Sequence, residues 1–160
     1  MRVSVLALAA ATTVALAGCG QNSSQSDQTP AAPAQPTADQ IKTLLAQLPA
    51  PYNAGDIVNG KSKFTQCAAC HTLGEGGPNM TGPNLYGIFG RKAGSLDGFA
   101  YSDAMKAAGW TWDAARIDAW ITNPHAVLAT TKMSFVGLKD PKDRADVIAY
   151  LKTATSPLPQ

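Results

Sequence analysis

Side chains that bind metals or attack substrates are scarce in this 160-residue chain, which has two histidines and three cysteines. Structural zinc sites space their ligands as two close pairs. Here Cys67, Cys70 and His71 stand together while Cys19 and His125 are distant, so a zinc domain is poorly supplied. Charge of one sign is missing too: 13 Lys and Arg face 11 Asp and Glu, a net charge of +2. That near-neutral balance gives no basic surface for nucleic acid. Clean period-two alternation of apolar and polar residues is absent, which removes the usual signature of strands and points to an all-α fold. No internal repeat is visible, and no apolar run reaches the roughly 20 residues that a membrane-spanning helix needs.

The longest apolar run, Val3 to Ala17, follows a basic Arg2 and has the form of an export signal. It ends in Leu16-Ala17-Gly18-Cys19, which resembles the lipobox of bacterial lipoproteins. That resemblance implies a signal peptide over residues 1–18 and a lipid on the Cys19 sulfur, and it accounts for an otherwise odd cysteine in an oxidising compartment. Ordinary cleavage after Ala15-Leu16-Ala17 would instead release a soluble protein. From Gly20 to Gln40 there is no Ile, Leu, Val, Met or aromatic residue, so this segment cannot build a core. We read residues 19–51 as the lipidated cysteine and a flexible Ala/Pro/Gln/Ser-rich linker, with a short amphipathic turn at Ile41 to Leu48, and residues 52–160 as one folded domain. As a coil of about 35 residues the linker would reach roughly 30 to 35 Å.

Within the domain, Cys67-Ala-Ala-Cys70-His71 is a C-x-x-C-H run, the attachment site of a c-type haem. On a helix these three side chains project from one face. Thioether bonds from two sulfurs would hold one edge of a flat macrocycle while the His71 imidazole binds its iron. A thiol–disulfide pair shares the C-x-x-C spacing but needs a parallel βαβ setting, and no strand run surrounds this one.

Helical patterns alternate with Gly/Pro-rich loops beyond Pro51. The first helix is expected from Gly55 or Asp56 into the motif, with Phe64 inward. The last begins at Asp140-Pro141, an N-cap followed by proline, and carries Val147, Ile148, Leu151 and Ala154 as an apolar stripe until Ser156-Pro157. Shorter helices are expected at Ser102 to Ala108 and at Asp113 to Thr122, the latter with Ile117, Trp120 and Ile121 inward. A chain with so much loop between Thr72 and Tyr101 needs an apolar centre, and Leu85, Ile88, Phe89, Trp112, Trp120 and Phe135 are the expected walls around a haem.

The stretches GDIVNGKSKF, CAACHTL, TGPNLYGIFGRKAG, GFAYSDAMKAAGWTWD, NPHAVLATTKMSF and DRADVIAYLKTA, in this order, resemble class I c-type cytochromes of the mitochondrial cytochrome c and bacterial cytochrome c2 type. The resemblance covers Gly55 to about Ala154 and implies helices wrapped around one covalent haem c. It implies Met133, in Thr131-Lys132-Met133-Ser134-Phe135, as the second iron ligand opposite His71. Met80 and Met105 are competing thioethers that chain reach alone does not exclude. It further implies that the Pro83 carbonyl accepts the other ring N–H of His71, and that Arg91, Tyr101 and Trp112 hold a buried haem propionate. Trp120 stands where the family has a tyrosine near the methionine sulfur, and Met105 replaces an asparagine. His125, Ala126, Gln66 and Met80 stand where mitochondrial members carry lysines, which leaves Lys132 and Lys139 as the docking face.

The function implied is a monomeric electron carrier rather than an enzyme, on the periplasmic side of a bacterial membrane. Its partners would be a quinol:cytochrome c oxidoreductase of the bc1 type, a terminal oxidase, and the lipid membrane through Cys19. Two alternatives use the same residues: a dedicated subunit of another respiratory complex or dehydrogenase, and a haem peroxidase or ligand sensor in which the Met133 bond opens.

Overall fold

The computed structural model describes residues 35–159; the expected signal peptide and Cys19 lie outside them. Six α-helices fall in this range: α1 (Ala38–Leu45), α2 (Ile57–Ala68), α3 (Asp103–Lys106), α4 (Ala114–Thr122), α5 (Pro124–Val127) and α6 (Pro141–Thr155), with a single 3₁₀ turn at Tyr52–Ala54. No strand occurs among the described residues, where one isolated bridge pairs Lys92 with Thr111. The all-α expectation therefore holds.

Caps decide where the helices begin. Asp56 accepts the N–H groups of Val58 and Asn59 at 2.8 and 3.1 Å, Asp113 accepts that of Arg116 at 2.7 Å, and Asp140 accepts that of Lys142 at 2.7 Å ahead of Pro141. Each satisfies backbone donors that the first helical turn leaves free. α3 is shorter than expected, and α5, capped by Asn123, was not anticipated.

The expected linker requires a correction. Residues 35–51 are not a free coil throughout: Thr37 and Gln40 form a reciprocal capping box, and α1 packs on α6 with Leu44 and Leu48 buried. The Gln40 amide also donates to the Pro159 carbonyl at 3.0 Å. Ile41, Leu44, Leu45 and Leu48 recur at helical spacing, so one face of the segment is apolar and docks. The folded unit begins before residue 52.

α2 and α6 cross at a point made of glycine. A Cβ on Gly60 would overlap the Asp146 carbonyl, and one on Gly55 would lie 2.7 Å from the Ala145 oxygen, so only hydrogen lets the two backbones meet. The rings of Phe64 and Tyr150 pack at a tilt of 56°, with centroids 5.6 Å apart. α6 is covered by α2, by α4 and by α1, and its buried set therefore extends past the expected stripe to Ala145, Asp146, Ala149, Thr153 and Thr155. Ala154, expected inward, is only half-buried.

Asp146, 2% exposed, ties this crossing electrostatically. Its carboxylate accepts the Asp56 N–H at 2.8 Å, the Asn59 amide at 2.7 Å and the Lys142 ammonium at 2.6 Å. Burial alone would raise its pKa, but these donors together hold it below the ordinary carboxylate range. The stability it contributes is therefore present above that range and lost as pH falls through it. Asp146→Asn is expected to cost about 2 kcal/mol at neutral pH. It should also flatten the acid limb of melting temperature against pH; an unchanged acid limb would contradict this account.

Candidate cofactor site

Near the C-terminal end of α2 the chain keeps one more helical turn beyond Ala68, because the His71 N–H reaches the Cys67 carbonyl at 3.0 Å. Cys67, Cys70 and His71 consequently share one wall of a cleft that is partly open to solvent and has a cavity volume of about 250 Å³. The two thiols are not joined in a disulfide. Burial, then the neighbouring Cys70, pushes the Cys67 thiol up to about 11. A disulfide oxidoreductase needs the opposite shift, toward thiolate at neutral pH. Among the described residues no three of His, Cys, Asp and Glu gather to hold a metal by themselves, which leaves the zinc alternative without a ligand set there.

The imidazole of His71 is fixed from behind. Its Nδ1 lies 2.7 Å from the Pro83 carbonyl. A Cβ on Gly82 would sit 2.7 Å from the same nitrogen, so glycine is what lets the loop close on the ring. Burial lowers the pKa of His71, opposed by the Pro83 bond and assisted by the Arg91 charge. A neutral ring donating Nδ1–H to a carbonyl leaves Nε2 as a free lone pair for a metal.

Asn84, absent from the expected site residues, organises this loop. Its amide donates to Thr72 Oγ1 at 2.7 Å and to the Gly74 carbonyl at 2.9 Å, and its side-chain oxygen accepts the Tyr86 N–H at 2.9 Å. Arg91 then clamps the segment by donating to the carbonyls of Asn84 and Tyr86 at 2.9 and 3.0 Å. Arg91, Tyr101 and Trp112 all line the cleft, and the guanidinium keeps further N–H donors beyond those two bonds.

Met133 lies on the wall as well, and the indole N–H of Trp120 donates to its sulfur at 3.1 Å. The Met133 N–H in turn bonds Thr131 Oγ1 at 3.2 Å. Met80 is 46% exposed and does not line the cleft, whereas Met105 is buried in its wall. Of the expected apolar walls, Leu85, Ile88, Trp112, Trp120 and Phe135 are present. Phe89 is not: its ring lies under the Lys152 ammonium at 5.1 Å instead. Phe64, Phe99, Ile117, Ile121, Val147 and Leu151 also line the cleft, beyond the expected walls. Periodicity showed several of them to face inward but not what they face.

Lys132 and Lys139 are both exposed, and each ammonium is held by a backbone carbonyl, that of Ala100 at 3.1 Å and that of Thr122 at 3.2 Å. His125 is exposed and Gln66 lies on the cleft rim.

This donor set, two thiols beside an imidazole, a thioether on the same cleft and a mainly apolar lining, fits a covalently attached porphyrin. The family model described as Cytochrome c matches residues 57–155. Cytochrome c2 of Rhodomicrobium vannielii is 54% identical over 102 residues, 64% of this chain and 82% of that protein. Cytochrome c of Stellaria longipes is 48% identical over 105 residues, 65% of this chain and 97% of its own length. Cytochrome c2 of Blastochloris viridis is 45% identical over 109 residues, 68% and 86% respectively. By the extent of these matches and the cleft that the matched residues build, the chain belongs to the cytochrome c family, as a class I c-type cytochrome carrying one covalent haem c.

Proposed function

We propose that this electron carrier is tethered by lipid at Cys19 to the periplasmic side of a bacterial membrane. There it shuttles electrons from a bc1-type quinol:cytochrome c oxidoreductase to a terminal oxidase. In this reading Cys67 and Cys70 would bind the haem covalently, His71 and Met133 would ligate its iron, and Pro83, Arg91, Tyr101, Trp112, Trp120 and Phe135 would hold it. The bound haem supplies a one-electron iron couple. The observation that carries the reading is that both donors are held from behind, His71 by Pro83 and Met133 by Trp120. Restrained ligands need little rearrangement when an electron arrives or leaves, and they leave no open position for a substrate. The Trp120 bond also opposes the opening of Met133 that a peroxidase or ligand sensor would require.

No helix among the described residues is long and apolar enough to cross a membrane. Because the fold begins before residue 52, the tether is shorter than composition implied. The residues from Cys19 to Ala34 span at most about 55 Å. The docking face has two lysines, Lys132 and Lys139, and so small a positive charge makes long-range steering weak, so that tethering supplies the local concentration. Turnover by membranes bearing the lipidated protein is expected to change less than about threefold between low and physiological ionic strength. Cys19→Ala should release the protein and depress that turnover. A steep salt dependence, or a Cys19→Ala protein that stays bound, would contradict the proposal.

A further inference from the structure

The chain has three tryptophans, and all three touch in sequence. Trp110 meets Trp112 edge to face with ring centroids 5.9 Å apart, and Trp112 meets Trp120 in the same way at 5.4 Å. Trp120 donates to the Met133 sulfur at 3.1 Å. The backbone dictates the arrangement. The segment around Thr111 pairs with Lys92, the Ala93 N–H bonds the Trp110 carbonyl at 2.9 Å, and the Trp112 N–H bonds the Arg91 carbonyl at 2.9 Å. Residues two apart in an extended segment share a face, which puts the first two indoles side by side. Asp113 then caps α4, whose second turn brings Trp120 to Trp112.

The outer end of the row is unusual in two ways. Trp110 is partly exposed and does not line the cleft, and its buried indole N–H has no hydrogen-bond partner among the described residues. The Arg116 guanidinium lies 4.9 Å above its ring. A cation over an indole face stabilises the neutral ring and opposes a positive charge on it. An indole N–H without an acceptor cannot shed its proton to relieve such a charge. Trp110 is therefore the member of the row least able to keep an electron vacancy, and the two indoles beyond it offer the exit.

We propose that Trp110, Trp112 and Trp120 form an inward-running electron relay that protects the protein from strong one-electron oxidants. An oxidant meeting the Trp110 face takes one electron from that indole; Trp112 refills Trp110, Trp120 refills Trp112, and the reduced iron site refills Trp120. The net exchange is one electron gained by the oxidant and one lost by ferrous iron. No bond is made or broken, and the Trp110 N–H keeps its proton. Trp110 is not among the residues lining the cleft, as Gln66 and Lys132 are, and the relay rests on the haem reading of that cleft.

The test uses the intact haem protein and photogenerated tris(bipyridine)ruthenium(III), with permanent oxidation of Trp110 read by peptide mass spectrometry. Ferrous wild-type protein should show several-fold less Trp110 damage than ferric protein, which has no electron to give. Trp112→Phe should abolish that difference between the two oxidation states. Arg116→Ala, at a residue outside the cleft, should raise Trp110 damage in the ferrous protein about fivefold by removing the cation that drives the vacancy inward. Equal damage in ferrous and ferric wild type, or a Trp112→Phe protein that keeps the protection, would overturn the relay. A protein purified without haem absorption would instead overturn the reading of the cleft.

Discussion

A double Cys67→Ala, Cys70→Ala protein will carry no covalent haem and will lose most of its helical circular dichroism. The first loss follows because the cleft has no other thiol among the described residues; the second follows from packing. Leu85, Ile88, Trp112, Ile117, Trp120, Phe135, Val147 and Leu151 all line the cleft, whose cavity volume is about 250 Å³. Cavities in apolar cores cost stability in proportion to their volume, so leaving this one empty is strongly destabilising. Small domains already bury a modest fraction of their surface and have little stability to lose. Retention of a covalent haem band, or of wild-type helicity without it, would contradict this account.

Gly60→Val will destabilise the holoprotein by about 4 kcal/mol, at the upper end of single substitutions. The new side chain meets backbone, the Asp146 carbonyl, and the nearby Tyr150 Cβ at 2.8 Å, so no flexible group can move aside. Separating α2 from α6 also pulls the Asp56 and Asn59 donors away from the buried Asp146 carboxylate. For a domain of this size the change corresponds to a melting temperature lower by roughly 15 to 30 °C. Gly74→Ala is the matched control, since a Cβ there meets nothing within 4 Å, and it should leave the melting temperature where it was. A Gly60→Val protein as stable as that control would mean that the crossing is looser than its geometry indicates.

Much of this arrangement was legible because it depends on local chemistry. Asp56, Asp113 and Asp140 announce helix starts through the donors they satisfy, and the Cys67 to His71 spacing survives because the helical turn continues past Ala68. What stayed hidden depends on contacts between distant segments. The apolar face of α1 is present in Ile41, Leu44, Leu45 and Leu48, yet a polar, proline-bearing stretch precedes it, and only α6 shows where that face goes. Phe89 and Ile121 are equally apolar, but one lies under Lys152 and the other lines the cleft. Asn84 is one polar residue among many until its bonds to Thr72, Gly74 and Tyr86 are seen. The engagement of Lys132 with Ala100 spans 32 positions and has no local sign.

The central claim is that one nitrogen of His71 and one sulfur of Met133 bind the same iron. Absorption and magnetic circular dichroism of the purified protein in both oxidation states, wild type beside Met133→Leu, test it most directly. The account predicts a closed histidine–methionine signature in the wild type in both states. In the variant that signature should be lost, and the ferrous form should bind carbon monoxide promptly. A Met133→Leu protein with an unchanged spectrum would contradict it.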